Sequence, residues 1–402
     1  MLEPFVRRAL AAEAEGRLEF RFRHRVTRLL GSGAVTGVAG EVLEDSAVLR
    51  GQASSRVVTR DFEISAAAIV VASGGIGGNE AAVRKVWPVE RLGPAPKAMI
   101  CGVPAHVDGL MIGHAEAAGA RVINGDRMWH YTEGVKTWDP IWPNHGIRIL
   151  PGPSSLWFDA AGKRLPAPCL PGFDTLATLK ALGRRGYGHS WLITTQKIVK
   201  KAFALSGSEQ NPDLTGKDWR LLLSSRLGKA AAPPEEVPPV EAFKSMGEDF
   251  VVADPLRALV EGMNKIGEVA LDTGHLRAQI EARDRELDDP FAKDAQITAI
   301  RQARAYLGDK LMRTAKPHRI LDPNAGPLIA VRRHVLTRKT LGGIETDLSA
   351  RALGADGQAI PGLYAVGEAA GFGGGGLHGY NALEGTFPGG CIFSGRAAGR
   401  AV

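Results

Sequence analysis

The stretch GEAAGFGGGGLHGYNALEG, residues 367–385, combines side chains that can move protons or accept hydrogen bonds with eight glycines. His378 and Tyr380 are side chains that serve as acids and bases, and Glu368 offers a carboxylate. Glycine buries nothing and costs conformational entropy, so a cluster near a strand end indicates that the backbone passes close to another group. The flanking segments IPGLYAVG and CIFSGRAAGRAV are typical of a strand and a helix, which argues against a flexible linker. The pattern therefore predicts a cofactor site.

The elements that must position these residues alternate between helix and strand. Residues 2–15 are predicted to form a helix, and the alternation in RLEFRFRHRVTRLL predicts strands, with Val26 on the second of them. The run AAIVVASGG is short, apolar and β-branched, which is typical of a buried strand in a parallel sheet. HVDGLMIGHAEAAGA then predicts a helix that begins near Asp108 and ends near Gly119. This order is typical of a nucleotide-binding α/β domain.

The sequence changes character between residues 125 and 325. Most of the tryptophans lie in this segment, together with helical patterns and the stretch KAAAPPEEVPPV at 229–240. The prolines of that stretch remove backbone donors and fix φ, so we interpret it as a surface loop or a lid hinge. From residue 326 the β-rich pattern returns, and the chain ends in a helix. We therefore predict an α/β domain over 1–124 and 326–402 that is interrupted by an inserted domain.

Composition limits the classes of function. The chain has 402 residues and a formal charge of +7, and its basic residues are scattered, without a motif for binding nucleic acid. This surface could attract an anionic cofactor or substrate. Three cysteines stand far apart, which predicts a reducing, cytoplasmic compartment rather than a disulfide framework. There is no apolar run long enough to span a membrane, and the isolated histidines lack the spacing of metal ligands, so we predict no metal site.

Five motifs occur in a recognisable order: VVASGGIGGN, HVDGLMIGHAEAAGA, GPLIAV, TLGGIETD and DGQAIPGLYAVGEAAG. Together they resemble the FAD-dependent dehydrogenases that include the fumarate reductase and succinate dehydrogenase flavoprotein subunits and 3-ketosteroid Δ1-dehydrogenase. The resemblance covers most of the chain, and the DG–IPGLYA–GE ending is its most specific part. It implies FAD as the cofactor and a Rossmann-like FAD-binding domain over 1–124 and 326–402. The segment 125–325 would be an α+β capping domain that contacts the substrate.

The first unit of that family has no counterpart in this sequence. Such flavoproteins begin with a βαβ unit whose GxGxxG turn and helix N-terminus hold the FAD pyrophosphate. Here GSGAVTGVAG at 31–40 offers glycines, but no βαβ context or acidic residue follows at the required spacing, so we interpret it as a hairpin turn. We expect an incomplete Rossmann-like domain, from a truncated or a degenerate copy. A non-catalytic protein that keeps the fold without the cofactor is the alternative.

The resemblance implies a set of cofactor contacts. Glu368 would accept hydrogen bonds from ribityl hydroxyls of the flavin, and the last helix would direct its N-terminal dipole at the ring. Four of the other positions have ordinary structural alternatives: a strand residue at Val26, a turn at Gly74 and Gly75, and a helix cap at Asp108. The remaining expected cofactor-binding residues are Lys339, Gly367, Phe387 and Pro388.

Two branches of the family suggest different substrates. Fumarate reductases carry histidines where Arg338 and Lys339 stand, and an arginine where this chain has Ala382. Because a C4-dicarboxylate needs cations at both carboxylates, the missing arginine counts against fumarate or succinate. In steroid Δ1-dehydrogenases a tyrosine precedes, by four positions, a glycine whose N–H polarises the substrate carbonyl. Here Tyr380 and Gly385 are five positions apart.

We therefore expect Tyr380 to act as the acid or base, with Gly385, His378 and Arg338 as further catalytic residues. The predicted reaction is hydride transfer between flavin N5 and a CH–CH bond beside a carbonyl. The tryptophan-rich segment favours an apolar, steroid-like substrate over a small diacid. A fumarate reductase-like activity is the second enzymatic alternative, and the electron acceptor is left open.

Overall fold

The computed structural model describes residues 2–49, 51–205, 239–381 and 385–402. Helices and strands alternate along the chain. In chain order the helices are α1 Glu3–Ala14, α2 Glu80–Lys85, α3 Val89–Leu92, α4 Leu110–Ala117, α5 Thr175–Gly183, α6 Gln196–Ala202, α7 Pro239–Met246, α8 Leu256–Ile266, α9 Thr273–Arg285, α10 Ala295–Ala303, α11 Leu307–Met312 and α12 Thr386–Ala401.

The strands belong to one large sheet and three small ones. In chain order they are β1 His24–Leu30, β2 Gly37–Leu43, β3 Val58–Ser65, β4 Ile69–Val71, β5 Met99–Cys101, β6 Val122–Ile123, β7 Met128–Lys136, β8 Gly146–Leu150, β9 Leu156–Asp159, β10 Ser190–Thr195, β11 Ala204–Leu205, β12 Phe250–Ala253, β13 Leu328–Thr340, β14 Gly343–Ile344, β15 Arg351–Leu353 and β16 Ala359–Ala365. Most of the proline-rich stretch 229–240, together with Trp219, lies outside the described residues; only its last two residues are described, in α7.

An antiparallel sheet is formed by β1, β2 and β3 in that order. Gly31 and Gly33 lie in the turn between β1 and β2, whereas Gly37 and Gly40 lie in β2; the antiparallel pairing confirms the predicted hairpin. Val26 lies in β1 opposite Gly40. It is therefore on the first strand of the segment, and the expected second-strand position was wrong. Residues 17–23 bend and turn instead of pairing, and Arg23 adopts a φ of 61°.

The large sheet is organised around β13, which has 13 residues. Its first half pairs with β10 and β12, and its second half pairs with β7 and, in parallel, with β5. The order through the sheet is β11-β8-β7-β13-β10-β9. Because β5 and β13 come from outside 125–325, the sheet joins the predicted inserted segment to the segments that flank it. The domain boundaries themselves stay a prediction.

A second parallel pairing lies in one of the small sheets. Strand β16 pairs in parallel with β4 and antiparallel with β15, which confirms the parallel arrangement predicted for AAIVVASGG. Burial is less complete than expected, since Val70 is 42% exposed. Val71, Ile112, Leu363 and Ala365 join the core beneath this small sheet, where α4 covers it. Among the described helices, none is long and apolar enough to cross a membrane.

A fully buried carboxylate ties β13 to the segment before β12. Asp249 Oδ1 accepts hydrogen bonds from Arg332 Nε at 2.7 Å and pairs with His334 Nε2 at 3.0 Å, and Oδ2 accepts from Lys136 N at 2.7 Å. Burial alone would raise the pKa of Asp249, but the hydrogen bond and charge of His334, the Lys136 N–H and the Arg332 charge lower it below its ordinary value. The network positions three strands at once.

We expect Asp249→Asn to lower the free energy of unfolding by about 3–5 kcal/mol, because it removes one charge of a buried network and keeps its partners buried. Since the pKa of Asp249 is lower in the folded state, its contribution is present above the unfolded-state pKa and is lost as pH falls through the folded-state value. Urea unfolding at several pH values measures both effects. Asp288→Asn removes the exposed pair with Arg319 and should cost less than about 1 kcal/mol. Equal losses for the two variants would contradict this assignment.

Candidate functional site

The end of β13 is locked to two other segments. Thr340 Oγ1 accepts a hydrogen bond from Ile76 N at 2.8 Å, and Thr340 N donates one to Glu368 Oε1 at 2.8 Å. A Cβ on Gly75 would lie 2.0 Å from Thr340 Oγ1 and 2.7 Å from Glu368 Oε1, so only glycine fits there. Gly74 has a φ of +79°. Packing and backbone conformation within the chain are therefore enough to explain both glycines, independently of any contact with a cofactor.

Glu368 lies in a short 3-10 turn, Gly367–Ala369, directly after β16. The turn is fixed by a φ of +61° at Gly367 and by a 2.9 Å hydrogen bond from Gly367 N to Ser394 Oγ of α12. Burial raises the pKa of Glu368, against the hydrogen bonds of Thr340 and the charges of Lys339 and Arg338. A carboxylate accepts about four hydrogen bonds, so Glu368 retains capacity for ligand hydroxyls.

Two cations precede Thr340 on β13 and lie beside aromatic rings. Lys339 Nζ donates to the Tyr131 hydroxyl at 3.1 Å and lies 4.0 Å from the centroid of the Phe387 ring. The Arg338 guanidinium carbon lies 5.9 Å from the Tyr131 ring centroid. His378 contacts the same cluster, with its ring 5.5 Å from that of Phe387, and burial lowers its pKa. Lys339, His378 and Phe387, which are far apart in sequence, thus share one platform.

Helix α12 begins at this platform without a capping side chain. Its N-cap is Gly385, with a φ of +89°, and a Cβ on Gly385 or Gly389 would meet no atom of the described chain within 4 Å. Pro388 in the first turn is exposed. The first N–H groups of a helix have no partner within the helix and carry partial positive charge. The open space at this end therefore suits an electron-rich group.

The glycine-rich segment has two kinds of glycine. Gly371, Gly375 and Gly376 pack against the chain itself, because an added Cβ would lie within 3 Å of atoms of neighbouring segments. Gly379, like Gly385, borders open space. The first kind explains how the segment folds back onto the paired strands β6 and β14, and the second leaves room for a ligand.

Tyr380 is held by charged side chains. Its hydroxyl donates a hydrogen bond to Asp126 Oδ2, and the guanidinium carbons of Arg91 and Arg127 lie 3.9 Å and 5.8 Å from its ring centroid. The hydrogen bond to Asp126, followed by burial, raises the pKa of Tyr380 above its ordinary value of 10.0. Sequence reasoning missed Asp126, Arg91 and Tyr131. The loop that carries Asp126 is 254 residues from Tyr380 and has no motif of its own.

Other expected positions have local roles. Asp108 Oδ1 accepts a 3.0 Å hydrogen bond from Leu110 N at the start of α4, but the N-cap of this helix is Gly109, so Asp108 is the residue before the cap. Val26 is held in the β1–β3 sheet, and Ala382 lies outside the described residues. Within the described ranges, no group of three His, Cys, Asp or Glu side chains could hold a metal ion.

The described residues fit a flavin by the chemistry of their donors and acceptors. Glu368 offers acceptors, the start of α12 offers backbone donors, and Lys339 offers a cation, all near glycines that border open space. The neighbouring rings of Phe387 and His378 add flat aromatic surface to the site.

Comparison with known proteins agrees with this arrangement. Residues 1–387 match the family described as FAD binding domain. The chain is 60% identical over 385 residues to a KsdD-like steroid dehydrogenase of Mycobacterium tuberculosis, covering 95% of this chain and 67% of that protein. It is also 60% identical over 373 residues to a KsdD-like steroid dehydrogenase of Mycolicibacterium smegmatis, covering 92% of this chain and 67% of that protein. The chain thus spans about two thirds of the length of these curated relatives.

Two solved structures share the fold. A 3-ketosteroid Δ1-dehydrogenase from Sterolibacterium denitrificans aligns with a TM-score of 0.59 at 18% identity, covering 97% of this chain and 62% of that one. A flavocytochrome c3 fumarate reductase aligns with a TM-score of 0.57 at 18% identity, covering 97% and 53%. The similarity confirms a mixed helix-and-strand fold of the FAD-binding flavoenzymes. By its family match and its 60% identity to named dehydrogenases, the chain belongs to the FAD binding domain family of flavin-dependent oxidoreductases, whose cofactor is FAD.

Proposed function

We propose that this chain carries the proton-transfer and flavin-ring parts of an FAD-dependent steroid dehydrogenase, which introduces a double bond beside the ketone of a steroid-like substrate. The observation that carries the proposal is the Tyr380 phenol, hydrogen-bonded to Asp126 beneath the Arg91 guanidinium. The relatives named KsdD-like steroid dehydrogenases supply the substrate class.

The flavin-facing residues would act by binding and by charge. Glu368 would accept hydrogen bonds from hydroxyls of FAD, and the uncapped start of α12 would bind the electron-rich edge of its ring. Lys339, held between Tyr131 and Phe387, would place a positive charge beside that ring. When bound, FAD supplies the hydride acceptor of the reaction.

Tyr380 and Asp126 would move the proton. The raised pKa of Tyr380 keeps its proton on the phenol at neutral pH, and Asp126 already accepts the hydrogen bond. As the phenol oxygen takes a proton from the carbon beside the substrate carbonyl, the phenol proton would pass to Asp126 Oδ2, so one proton enters and one leaves Tyr380. The Gly385 N–H would polarise the carbonyl, while His378 and Arg338 would orient the substrate.

The substrate would be a small, apolar carbonyl compound, the class that the names of the relatives suggest. The buried Trp129, Trp157 and Trp191 pack inside hydrophobic cores of the chain and do not bear on it. Cys101, Cys169 and Cys391 form no disulfide, which supports our proposal of a cytoplasmic location.

We expect the purified chain to bind added FAD and to perturb its visible absorbance spectrum. Glu368→Gln should weaken this binding about 10-fold or more, because a hydrogen bond to a charged acceptor contributes about 1.5–3 kcal/mol. A titration followed by flavin absorbance and fluorescence measures the affinity. Glu345→Gln is the matched control, since it removes a carboxylate that pairs with Arg121 near the glycine-rich segment. Equal affinity for all three proteins, or no perturbed flavin at saturating FAD, would contradict the proposed site.

With FAD and a dye as electron acceptor, we expect 4-androstene-3,17-dione to be dehydrogenated. Tyr380→Phe should lower kcat by about 100-fold or more with little change in KM, because general acid–base catalysis is lost while packing is kept. Product formation is measured by chromatography. Tyr364→Phe is the control, because the Tyr364 hydroxyl donates only to the backbone oxygen of Ala401. Reduction of fumarate without ketosteroid activity would replace the proposal by the fumarate reductase alternative.

We expect Asp126→Asn to lower the pKa of Tyr380, because the carboxylate that stabilises the protonated phenol is removed while Arg91 stays. Ultraviolet difference titration of Asp126→Asn against the Asp126→Asn/Tyr380→Phe double variant isolates this one tyrosine. Because an asparagine cannot accept the phenol proton, activity at neutral pH should fall as well. An unchanged Tyr380 titration would remove Asp126 from the proposed proton path.

A further inference from the structure

The outer part of the glycine-rich segment has little regular structure of its own. Gly374, Gly375 and Gly376 have φ values of 61°, 89° and 140°, and residues 377–381 belong to no helix or strand. Within the described residues, the last backbone-to-backbone hydrogen bond of the segment runs to Gly373 O from Gly376 N, at 3.1 Å. Glycine loses more conformational entropy on ordering than any other residue. The side chains that follow these glycines therefore depend on contacts from elsewhere in the chain.

The turn 124–127 between β6 and β7 lies against this segment and is itself fixed by the sheets. Inside the turn Asn124 O accepts a hydrogen bond from Arg127 N at 2.9 Å, and Arg127 O accepts one from Leu341 N at 2.8 Å. A Cβ on Gly342 would lie 1.9 Å from Asn124 O, so only glycine fits there. Because β6 pairs with β14 and β7 pairs with β13, the turn is held on both sides.

Asn124 combines two properties that this turn uses. Its φ of 57° lies in the left-handed region, which asparagine tolerates better than most residues. Its side-chain Nδ2 donates a hydrogen bond to Gly375 O at 3.2 Å. A Cβ on Gly376 would lie 2.7 Å from the same Nδ2, so the segment passes directly against the amide. The amide thus ties the glycines to a turn that the sheets hold in place.

The same turn contacts the residues that follow the glycines. Arg127 Nη1 donates to His378 O at 3.4 Å, and Asp126 accepts the hydrogen bond of the Tyr380 hydroxyl. The hydrogen bond from Asn124 enters the segment five residues before Tyr380. Because the intervening residues 376–379 include two glycines, the position of Tyr380 depends on where the chain before it is held.

We propose that Asn124 is a positioning residue, whose amide holds the glycine-rich segment in the place where the Tyr380 hydroxyl meets Asp126. The catalytic consequence of this inference rests on the proposed function. Asn124 acts on Tyr380 through the segment, because its hydrogen bond goes to the backbone of Gly375. Misplacing a catalytic group by about 1 Å can lower a rate by about 100-fold, so a contact remote from the chemistry can control it.

The test is Asn124→Gly, which removes the amide and keeps a residue that adopts the left-handed φ. We expect the pKa of Tyr380 to fall toward its ordinary value of 10.0, because the hydrogen bond to Asp126 that raises it forms less often. Ultraviolet difference titration against Asn124→Gly/Tyr380→Phe isolates this tyrosine. Since asparagine carries no charge, a shift in the pKa of Tyr380 reports a change of position and not a lost charge.

Two further measurements follow the segment and the reaction. Amide hydrogen exchange of residues 371–376 should become faster in Asn124→Gly, and to a smaller extent in Arg127→Met, which removes the longer hydrogen bond to His378. With FAD and 4-androstene-3,17-dione, kcat of Asn124→Gly should fall about 10-fold with little change in KM. FAD affinity should stay that of the wild type, because Glu368 and Lys339 are held by other contacts.

Asn144→Gly is the matched control. Asn144 also has a φ of 57°, and its Nδ2 donates to the backbone oxygen of Met99 at 3.5 Å, away from the glycine-rich segment. This variant should keep the wild-type pKa of Tyr380, exchange rates and kcat. An unchanged Tyr380 titration together with unchanged exchange in Asn124→Gly would overturn the proposal, and so would equal changes in both glycine variants. A wild type that neither perturbs FAD nor acts on the ketosteroid would refute the proposed function, while the titration would still decide the role of Asn124.

Discussion

The hydrogen bonds at Thr340 are the constraint on which the site depends. Strand β13 is paired along its whole length with four other strands, so its last residue is placed by the large sheet. Thr340 then holds Ile76 through its hydroxyl and Glu368 through its backbone N–H. These contacts bring the loop after β4 and the turn after β16 to one point. The cations Arg338 and Lys339 precede that point on the same strand, so their placement follows from the sheet.

The buried charges of β13 illustrate two different solutions to the same electrostatic problem. Arg332 and His334, on either side of Arg333 in sequence, share the carboxylate of Asp249, which also accepts a backbone N–H. That network is internally compensated and contributes to folding. Arg333 lies in the field of the Glu133 carboxylate, but its guanidinium nitrogens have no hydrogen-bond partner among the described residues.

The candidate site combines a rigid base with open space. Phe372, Phe387, Trp129 and Tyr131 form a packed aromatic cluster under Lys339. Above it, the start of α12 and Gly379 leave volume that the described residues do not fill. Polar groups that packing already holds in place lose little conformational entropy when a ligand binds, so they can stabilise charge on the ligand without rearranging. The Tyr380–Asp126 pair extends this site with a group able to exchange a proton.

Local patterns of residues were enough to predict the family resemblance, the cofactor and the order of the elements. These follow from local signals: the DG–IPGLYA–GE ending, the hairpin at 31–40 and the parallel strand before Gly74 are each encoded by neighbouring residues. Val26 was expected on a second strand, but residues 17–23 form no strand and Val26 lies on the first. Alternation of apolar and polar residues suggests a strand, but it does not show that a neighbouring strand is there to pair with it. Three facts became visible only in the folded chain: Tyr380 donates to Asp126, the space beside Thr340 requires glycine at position 75, and the Arg333 guanidinium is buried without a hydrogen bond among the described residues. Those facts depend on contacts between segments hundreds of residues apart, which no local pattern records, because packing and charge pairing are set by the folded chain as a whole.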